Sequence, residues 1–280
     1  MQTVRAIEAL RARVKEWRRA GLKIALVPTM GNLHEGHLTL VREARRRAER
    51  VVVSIFVNPM QFGPKEDYRS YPRTLEQDTD MLVREGVDLL FAPDVATVYP
   101  SGQEAQTRVE VPGLSDILCG AVRPGHFVGV ATVVCKLLNM VQPDLALFGE
   151  KDLQQLTVLR HMVADLCMPV EVLGVATVRE PDGLAMSSRN QYLDPEQRRL
   201  APTLYRTLRN LAERVRSGER HFRRLEREAG ETLAEAGFTP DYVSIRRLTD
   251  LGEANTDDRE LVVVAAVRLG VARLIDNLRV

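Results

Sequence analysis

A glycine-rich segment with two histidines is the part of the sequence best suited to chemistry. It runs from Val27 to His37, between a short apolar run and an amphipathic pattern. A loop that opens a helix after a strand presents free N–H groups and a partial positive charge, which favour phosphate. Gly31 and Gly36 would let the backbone approach a phosphate closely, and His34 and His37 could both donate hydrogen bonds to it.

Two other interpretations of the histidine pair stay open. The rings could bind a metal ion, although no convincing third ligand accompanies them, or they could be merely structural. The pattern His-x-Gly-His at a strand-to-helix junction resembles the signature of the HxGH nucleotidyltransferase superfamily. That resemblance implies attack on the α-phosphate of a nucleotide, with pyrophosphate as the leaving group.

Two further segments carry groups that suit a nucleotide. Arg189 follows Ser187 and Ser188, and a guanidinium can bind phosphate oxygens bidentately. Taken alone, such a segment is typical of an ordinary polar turn. Lys151 and Asp152 follow an apolar run, where the cation could neutralise phosphate and the carboxylate could accept a hydrogen bond from ribose. The alternative is a plain helix start.

Amide side chains suit the hydroxyl groups of a second substrate. Asn58 and Gln61 follow the second apolar run, and Gln155 lies at the start of a predicted helix. A buried amide can both donate and accept hydrogen bonds. On composition alone, however, these positions are typical of a surface. We interpret Asp78 as a carboxylate on a helix surface, with water-mediated Mg²⁺ binding as the alternative.

An alternation of short strands and helices must position these residues. Continuous apolar runs predict parallel strands covered on both faces at Lys23–Val27, Val51–Val57, Val87–Phe91, Asp144–Phe148 and Val170–Val178. Helical patterns lie between them, the clearest with Leu38, Val41 and Ala44 on one stripe. Residues 1–178 are therefore predicted to form a Rossmann-like doubly wound parallel sheet that binds the substrates.

The pattern changes near residue 180. A turn signal at 180–183 precedes Asp194 and Pro195, which are typical of a helix cap and first helical position. Two helical patterns rich in Arg, Glu and Leu follow, and then strand-like runs at Asp241–Ile245 and Leu261–Val267. We expect residues 179–280 to form a smaller C-terminal α+β domain that closes over the active site.

Composition excludes several classes of partner. The formal net charge is +1, from 39 basic and 38 acidic residues, so nothing indicates binding to nucleic acid or an anionic membrane. No apolar run approaches the roughly 20 residues of a membrane span. The N-terminal pattern predicts a folded amphipathic helix, and we expect a cytoplasmic protein. Cys119, Cys135 and Cys167 are expected to be buried apolar residues in a reducing compartment.

Four longer motifs resemble the pantothenate synthetase family. They are, in order, PTMGNLHEGH, FVNPMQFGPKEDYRSYPRTLEQD, RPGHFVGVATVVCKLLNMVQPDLALFGEKDLQQL and MSSRNQYL. The resemblance is almost continuous from Pro28 to Leu193, and it is less distinctive beyond that point. It implies a ligation in two steps: pantoate attacks Mg-ATP to form pantoyl adenylate, and the amine of β-alanine then displaces AMP. It also suggests a homodimer.

The resemblance implies a role for particular residues of this sequence. The implied catalytic residues are His34, His37, Lys151, Ser188 and Arg189. Those implied for ATP are Met30, His34, His37, Gly149, Lys151, Asp152, Val178, Met186, Ser187, Ser188 and Arg189. Those implied for pantoate and β-alanine are Gln61, Gln155, Asn58 and Tyr71. For Arg123 and His126 we favour a structural or loop-closing role over a catalytic one.

Other functions remain as alternatives. An enzyme that keeps the nucleotide on its product, such as a pantetheine-phosphate adenylyltransferase, is usually much shorter. A tRNA-linked enzyme would need a basic face, which the neutral charge does not favour. A nucleotide-binding sensor without catalysis would be expected to have lost His34, His37 or Lys151, and all three are present.

Overall fold

The computed structural model of the chain describes residues 1–64 and 66–280, and these form two compact units. The first unit contains residues 1–150 and 155–176, and the second contains residues 151–154 and 177–280. The short segment 151–154 thus belongs to the second unit, although the sequence on both sides of it belongs to the first. Within the part of the chain that the structure describes, no helix is long and apolar enough to cross a membrane.

The first unit is built on six parallel strands. The strands are β1 (Gln2–Val4), β2 (Ile24–Thr29), β3 (Arg50–Ile55), β4 (Leu89–Phe91), β5 (Leu145–Gly149) and β6 (Glu171–Val175). The helices are α1 (Ile7–Arg19), α2 (Glu35–Arg47), α3 (Leu75–Arg84), α4 (Val95–Val98), α5 (Cys119–Val122), α6 (His126–Val141) and α7 (Leu153–Asp165), of which the first two residues of α7 belong to the second unit. Short 3₁₀ turns cover Pro59–Gln61 and Glu150–Asp152.

The strand order explains where a ligand would bind. Strands pair in the order β1-β4-β3-β2-β5-β6, so the chain winds in opposite directions on either side of the boundary between β2 and β5. Such a switch point leaves a crevice beyond the carboxyl ends of the strands. At this end of the sheet, the histidine pair follows β2 at the start of α2, Gln61 lies in the 3₁₀ turn after β3, and Gly149 is the last residue of β5. The predicted doubly wound parallel sheet is confirmed.

Both faces of this sheet are buried, as the continuous apolar runs predicted. Ala25 and Val27 of β2 pack in one cluster with Val41 and Ala44 of α2. Ile24 and Leu26 of β2 are also fully buried, and they point to the opposite face. A strand covered on both faces has no polar side, which is why its sequence shows no alternation.

The second unit combines helices with an antiparallel sheet. Its elements are a 3₁₀ turn at Ser188–Tyr192, α8 (Pro195–Leu200), α9 (Thr203–Arg216), α10 (Phe222–Glu235), β7 (Thr239–Arg247), β8 (Leu261–Leu269) and β9 (Ala272–Arg279). The strands pair in the order β7-β8-β9. Leu208 and Leu211 of α9 and Leu225 of α10 pack on the buried face of the sheet. The predicted α+β character of this region is confirmed.

Several local expectations differ from the structure. Strands β1 and β9 were not predicted. Strand β1 has only three residues, and in β9 buried positions alternate with half-buried ones, so neither forms a long continuous apolar run. Helix α2 begins at Glu35, so His37 lies inside its first turn. The expected burial of all three cysteines is wrong: Cys119 is buried, Cys135 is half-buried, and Cys167 is exposed with a positive φ of 49°.

Candidate active site

The two histidines form a reciprocal cap on helix α2. His34 is the N-cap residue, and its Nδ1 accepts a hydrogen bond from the Gly36 N–H at 3.1 Å. The Nδ1 of His37 accepts one from the His34 N–H at 3.3 Å, and the ring centroids are 4.1 Å apart. Because each Nδ1 accepts a hydrogen bond, a neutral ring must carry its proton on Nε2. Both rings are thereby held in the tautomer that donates from Nε2 at the positive end of a helix.

The loop before His34 is held by a buried carboxylate. Asp78 of α3 is fully buried, and it accepts hydrogen bonds from the backbone N–H groups of Asn32 at 2.9 Å and Leu33 at 2.8 Å. The prediction that Asp78 lies on a helix surface is therefore wrong. The periodicity of α3 did not show that the face with Asp78 turns towards the β2–α2 loop. A Cβ added to Gly31 would lie 3.0 Å from Asp78 and Ile55, so the absence of a side chain here lets the carboxylate come close to the loop.

Gln61 is oriented from both ends of its amide. Its Oε1 accepts a hydrogen bond from Asn58 Nδ2 at 3.0 Å, and its Nε2 lies 3.2 Å from the sulfur of Met30. Two residues with predicted substrate contacts, Met30 and Gln61, are thus brought together in the first unit. The fixed amide leaves no ambiguity about which end of Gln61 donates.

The buried side chain of Asn58 holds the 3₁₀ turn Pro59–Gln61 in place. Its Nδ2 donates to Gln61 and to the Gly129 carbonyl at 3.1 Å, and its Oδ1 accepts from the Met60 N–H at 3.3 Å and the Tyr99 hydroxyl at 2.7 Å. Burial raises the pKa of Tyr99, which keeps that hydroxyl protonated as a donor. Four hydrogen bonds use the whole capacity of the Asn58 amide. These contacts favour a role in positioning Gln61.

Arg123 and His126 brace the backbone of the same turn. Arg123 binds both carboxylate oxygens of Glu66, at 2.6 and 2.7 Å, and donates to the Gln61 carbonyl at 3.3 Å. His126 Nδ1 lies 2.8 Å from that carbonyl, and its Nε2 lies 3.0 Å from an Arg123 nitrogen. The carbonyl can only accept and Arg123 can only donate, so these contacts require a neutral His126 with its proton on Nδ1. They favour the structural role over a catalytic one.

The ion pair has a defined electrostatic effect. Burial alone raises the pKa of the Glu66 carboxyl, but the hydrogen bonds and charge of Arg123 outweigh it and lower the pKa to about 2. Glu66 is therefore a carboxylate at any physiological pH.

The last predicted residue of this region, Tyr71, is buried, with its ring edge against Phe62 at 5.9 Å between centroids.

The second unit brings together another part of the predicted set. Lys151, Ser187 and Asn190 line one small pocket. The Lys151 ammonium is 3.6 Å from the Asp152 carboxylate, and the Ser187 hydroxyl accepts a hydrogen bond from the Arg189 N–H at 3.3 Å. A cation and a hydroxyl thus line the same pocket, and both groups can donate hydrogen bonds to phosphate.

The other predicted nucleotide contacts are divided between the two units. Val178, Met186 and Ser188 belong to the second unit, and Gly149 belongs to the first. The N–H of Met186 donates to the Val178 carbonyl at 3.0 Å, and Ser188 opens the 3₁₀ turn that contains Arg189. Gly149 ends β5. Gln155, a predicted pantoate contact, is half-buried in α7.

Sequence reasoning missed the residues that support Lys151. Asn277 of β9 donates a hydrogen bond from Nδ2 to the Lys151 carbonyl at 3.0 Å. Its neighbour Asp276 is 3 % exposed and binds Arg179 at 2.6 and 2.8 Å, while Arg179 stacks over the Tyr205 ring at 3.9 Å. No local pattern could reveal the hydrogen bonds, because Asn277 lies 126 residues from Lys151 and Asp276 lies 97 residues from Arg179. The sequence of β9, ARLIDNLR, does not alternate between polar and apolar residues, so it offered no signal for these contacts either.

The parallel sheet with its switch point, and the two histidines at the start of the helix after β2, define a Rossmann-type α/β protein. Comparison with known proteins then gives the family. The profile of the pantoate-beta-alanine ligase family matches residues 2–279. The pantothenate synthetase of Methylococcus capsulatus is 61% identical over 277 residues, which cover 99% of this chain and 97% of the relative. The chain belongs to the pantoate-beta-alanine ligase family, and the resemblance drawn from its motifs is confirmed.

Solved structures agree with this assignment. The crystal structure of pantothenate synthetase from Thermus thermophilus is similar with a TM-score of 0.92 and 50% identity, and covers 99% of both chains. The pantoate-beta-alanine ligase from Francisella tularensis, complexed with beta-gamma ATP and beta-alanine, has a TM-score of 0.82 and 33% identity. That alignment covers 99% of this chain and 97% of the other. The whole length of the chain therefore has the fold of this family.

Proposed function

We propose that the chain joins pantoate to β-alanine in a reaction that consumes ATP, through a pantoyl-adenylate intermediate. In the first step a pantoate carboxylate oxygen bonds to the α-phosphorus of ATP, and the bond to pyrophosphate breaks. In the second step the β-alanine nitrogen bonds to the acyl carbon, the bond to AMP breaks, and the amine releases a proton. The family membership and the names of the relatives support this reaction.

The reciprocal cap of His34 and His37 is the observation that carries the proposal. Two Nε2–H donors at a helix N-terminus, beside the switch point of a parallel sheet, form a preorganised site for phosphate charge. The donors are fixed before the substrate arrives, so little reorganisation is needed as charge moves to the leaving pyrophosphate. The histidines act here as hydrogen-bond donors.

The remaining roles follow from the predicted contacts. Lys151 and the Ser187–Arg189 segment hold the triphosphate and the departing pyrophosphate, while Gly149 and Asp152 contact the nucleoside. Val178 and Met186 line the nucleotide site, and Met30 lies at the junction of the two ligands. Gln61 and Gln155 bind the hydroxyl and carboxylate groups of pantoate. Tyr71 and Asn58 lie where β-alanine enters, and Asn58 acts there by holding Gln61.

Mg²⁺ belongs to this reaction as part of the Mg-ATP substrate. Among the residues described, no group of three or more His, Cys, Asp or Glu side chains could hold a metal ion. Asp78 is also unsuited, because both of its oxygens accept backbone N–H groups. These residues do not fit a metal held by the protein alone. Mg²⁺ commonly binds mainly through substrate phosphates and water, which suits this site.

The first experiment is exchange of labelled pyrophosphate into ATP without β-alanine. Exchange that requires pantoate and Mg²⁺ would demonstrate the reversible adenylate step. Adding β-alanine should then give AMP and pantothenate. A folded protein that binds ATP and shows no exchange would refute the two-step reaction.

Variants of the histidine pair test the site itself. His34→Ala or His37→Ala should lower adenylate formation at least about 10²-fold, the scale for loss of one preorganised donor. His221→Ala is the matched control, since His221 is exposed and its side chain does not cap α10. Near-normal turnover in both site variants would show that the loop has a purely structural role.

We further propose a homodimer in the cytoplasm, and closure of the C-terminal domain over the active site when ATP and pantoate bind. Closure would bring Ser188 and Arg189 to the phosphates and exclude water from a hydrolysable adenylate. Small-angle scattering of the protein with and without ATP and pantoate measures this closure. Superimposable profiles, together with normal turnover of Arg189→Ala, would contradict closure, and a monomeric mass by light scattering would contradict the dimer.

A further inference from the structure

Asp78 has no assigned part in the reaction, yet its carboxylate directly contacts the backbone of the histidine loop. Its side chain is 0 % exposed, so it is out of reach of any substrate. Its Oδ1 accepts the Leu33 N–H at 2.8 Å, and its Oδ2 accepts the Asn32 N–H at 2.9 Å and the Thr74 hydroxyl at 3.1 Å. A buried carboxylate is costly unless several donors surround it. Here three donors do so.

The backbone around this carboxylate has an uncommon conformation. Gly31 and Asn32 have successive positive φ angles of 81° and 51°. The N–H groups of Asn32 and Leu33 in this turn converge on the Asp78 carboxylate, so the turn forms a concave anion site. In many proteins that anion is a ligand, whereas here it is the protein's own Asp78. The N–H groups of Asn32 and Leu33 are therefore used for internal anchoring, and the histidine rings are left to meet the substrate.

Gly31 allows the carboxylate to come this close. A Cβ on Gly31 would lie 3.0 Å from Asp78 Oδ2 and 3.0 Å from a methyl group of Ile55. Both the positive φ and the limited space favour glycine at this position. The left-handed conformation of Asn32 adds a small cost, which the hydrogen bond from its N–H offsets.

The anchor is directly connected to the histidines. Leu33 precedes His34, whose N–H donates to His37 Nδ1, and whose ring accepts from the Gly36 N–H. A shift of the backbone at Leu33 would therefore change both hydrogen bonds that select the Nε2–H tautomers. Asparagine could not replace Asp78, because its NH₂ group would face an N–H donor.

We propose that Asp78 is a positioning residue: it fixes the β2–α2 turn so that both imidazoles present Nε2–H to the phosphates. This proposal rests on the proposed function in one respect, namely that the groups bound by the imidazoles are phosphates. The positioning of the rings can be measured without substrate. The group acts through His34 and His37 and contacts neither substrate.

The test compares Asp78→Asn with Asp80→Asn, an equal change of charge at a more exposed position of the same helix. NMR spectra of the histidine ring nitrogens, recorded without substrate, report the tautomers of His34 and His37. We expect mixed tautomers in Asp78→Asn and native ones in Asp80→Asn. In pyrophosphate exchange we expect kcat to fall about ten- to hundredfold in Asp78→Asn, the scale of a misplaced catalytic group, with KM for pantoate little changed.

Native tautomers with wild-type kcat in a folded Asp78→Asn protein would overturn the proposal. A general loss of stability would not by itself shift kcat relative to KM or alter ring tautomers. If Asp78→Asn does not fold, Thr74→Val is tested instead, with the same two measurements of ring tautomers and kcat. It removes one donor to the carboxylate, and the Thr74 side chain does not cap α3. Unchanged tautomers and kcat in Thr74→Val would then refute the proposal.

The two proposals can fail separately. If the wild-type protein shows no pantoate-dependent exchange, the proposed reaction is wrong. Altered tautomers in Asp78→Asn would still support the positioning role in that case. If exchange occurs and the tautomers do not respond to Asp78→Asn, the reaction stands and the positioning role is refuted.

Discussion

Replacing Gly129 by alanine should displace the backbone that carries Gln61. Gly129 lies in α6, where an added Cβ would be 2.2 Å from the Met60 carbonyl oxygen and 2.7 Å from the Gln61 nitrogen. An ordinary contact begins near 3.4 Å, so the helix and the turn must separate by about 1 Å. The atoms in the way belong to the backbone and cannot rotate aside as a side chain would.

The expected magnitude follows from this overlap. Overpacking of a buried contact costs about 1–3 kcal/mol, whereas Gly→Ala in an open helix stabilises by up to about 1 kcal/mol. A shift of about 1 Å would also weaken the hydrogen bond from Asn58 to the Gly129 carbonyl, now 3.1 Å long. Since we propose that Gln61 binds pantoate, kcat/KM for pantoate should fall by up to about 10²-fold.

The assay pairs urea unfolding with pyrophosphate exchange over a range of pantoate concentrations. Gly230→Ala provides the matched control, because Gly230 also lies in a helix and an added Cβ would meet nothing within 4 Å. The control should be as stable as the wild type or slightly more stable, with unchanged kinetics. If Gly129→Ala matches the control in both measurements, the close approach of α6 to the Gln61 turn does not position this residue.

Three further substitutions test electrostatics and capping. The usual pKa of 4.5 for Glu66 falls to about 2 because Arg123 outweighs the opposing effect of burial, so its stabilisation is present above pH 4.5 and is lost as pH falls towards 2. Glu66→Gln should therefore remove part of the decline in melting temperature across that window, and an identical decline would contradict this. Arg179→Met should lower the free energy of unfolding by about 3–5 kcal/mol, because it leaves the buried Asp276 carboxylate unpaired; a loss below about 1 kcal/mol in urea unfolding would refute this. Asp194→Ala should cost about 1 kcal/mol in the same assay, since its carboxylate caps α8 through two backbone N–H groups, and unchanged stability would show that the cap is dispensable.

Local patterns in the sequence were enough to locate several elements of the fold. Continuous apolar runs located β2, β3 and β5, because parallel strands buried on both faces need no polar positions. The glycine and histidine spacing located the β2–α2 junction, and Asp194 with Pro195 located the start of α8. In each case the signal and the structure lie within a few residues of each other.

The contacts that support those features join distant parts of the chain, and they appear only once the chain is folded. Asp78 is buried under the histidine loop, and Asn277 holds the Lys151 carbonyl 126 residues away in sequence. Glycine is needed at position 129 only because α6 lies against the Gln61 turn. Helical periodicity shows that a residue faces one side, but packing decides whether that side meets water, backbone or a neighbouring loop. The same polar side chain is therefore a surface group in one packing and an anchor of the active site in another.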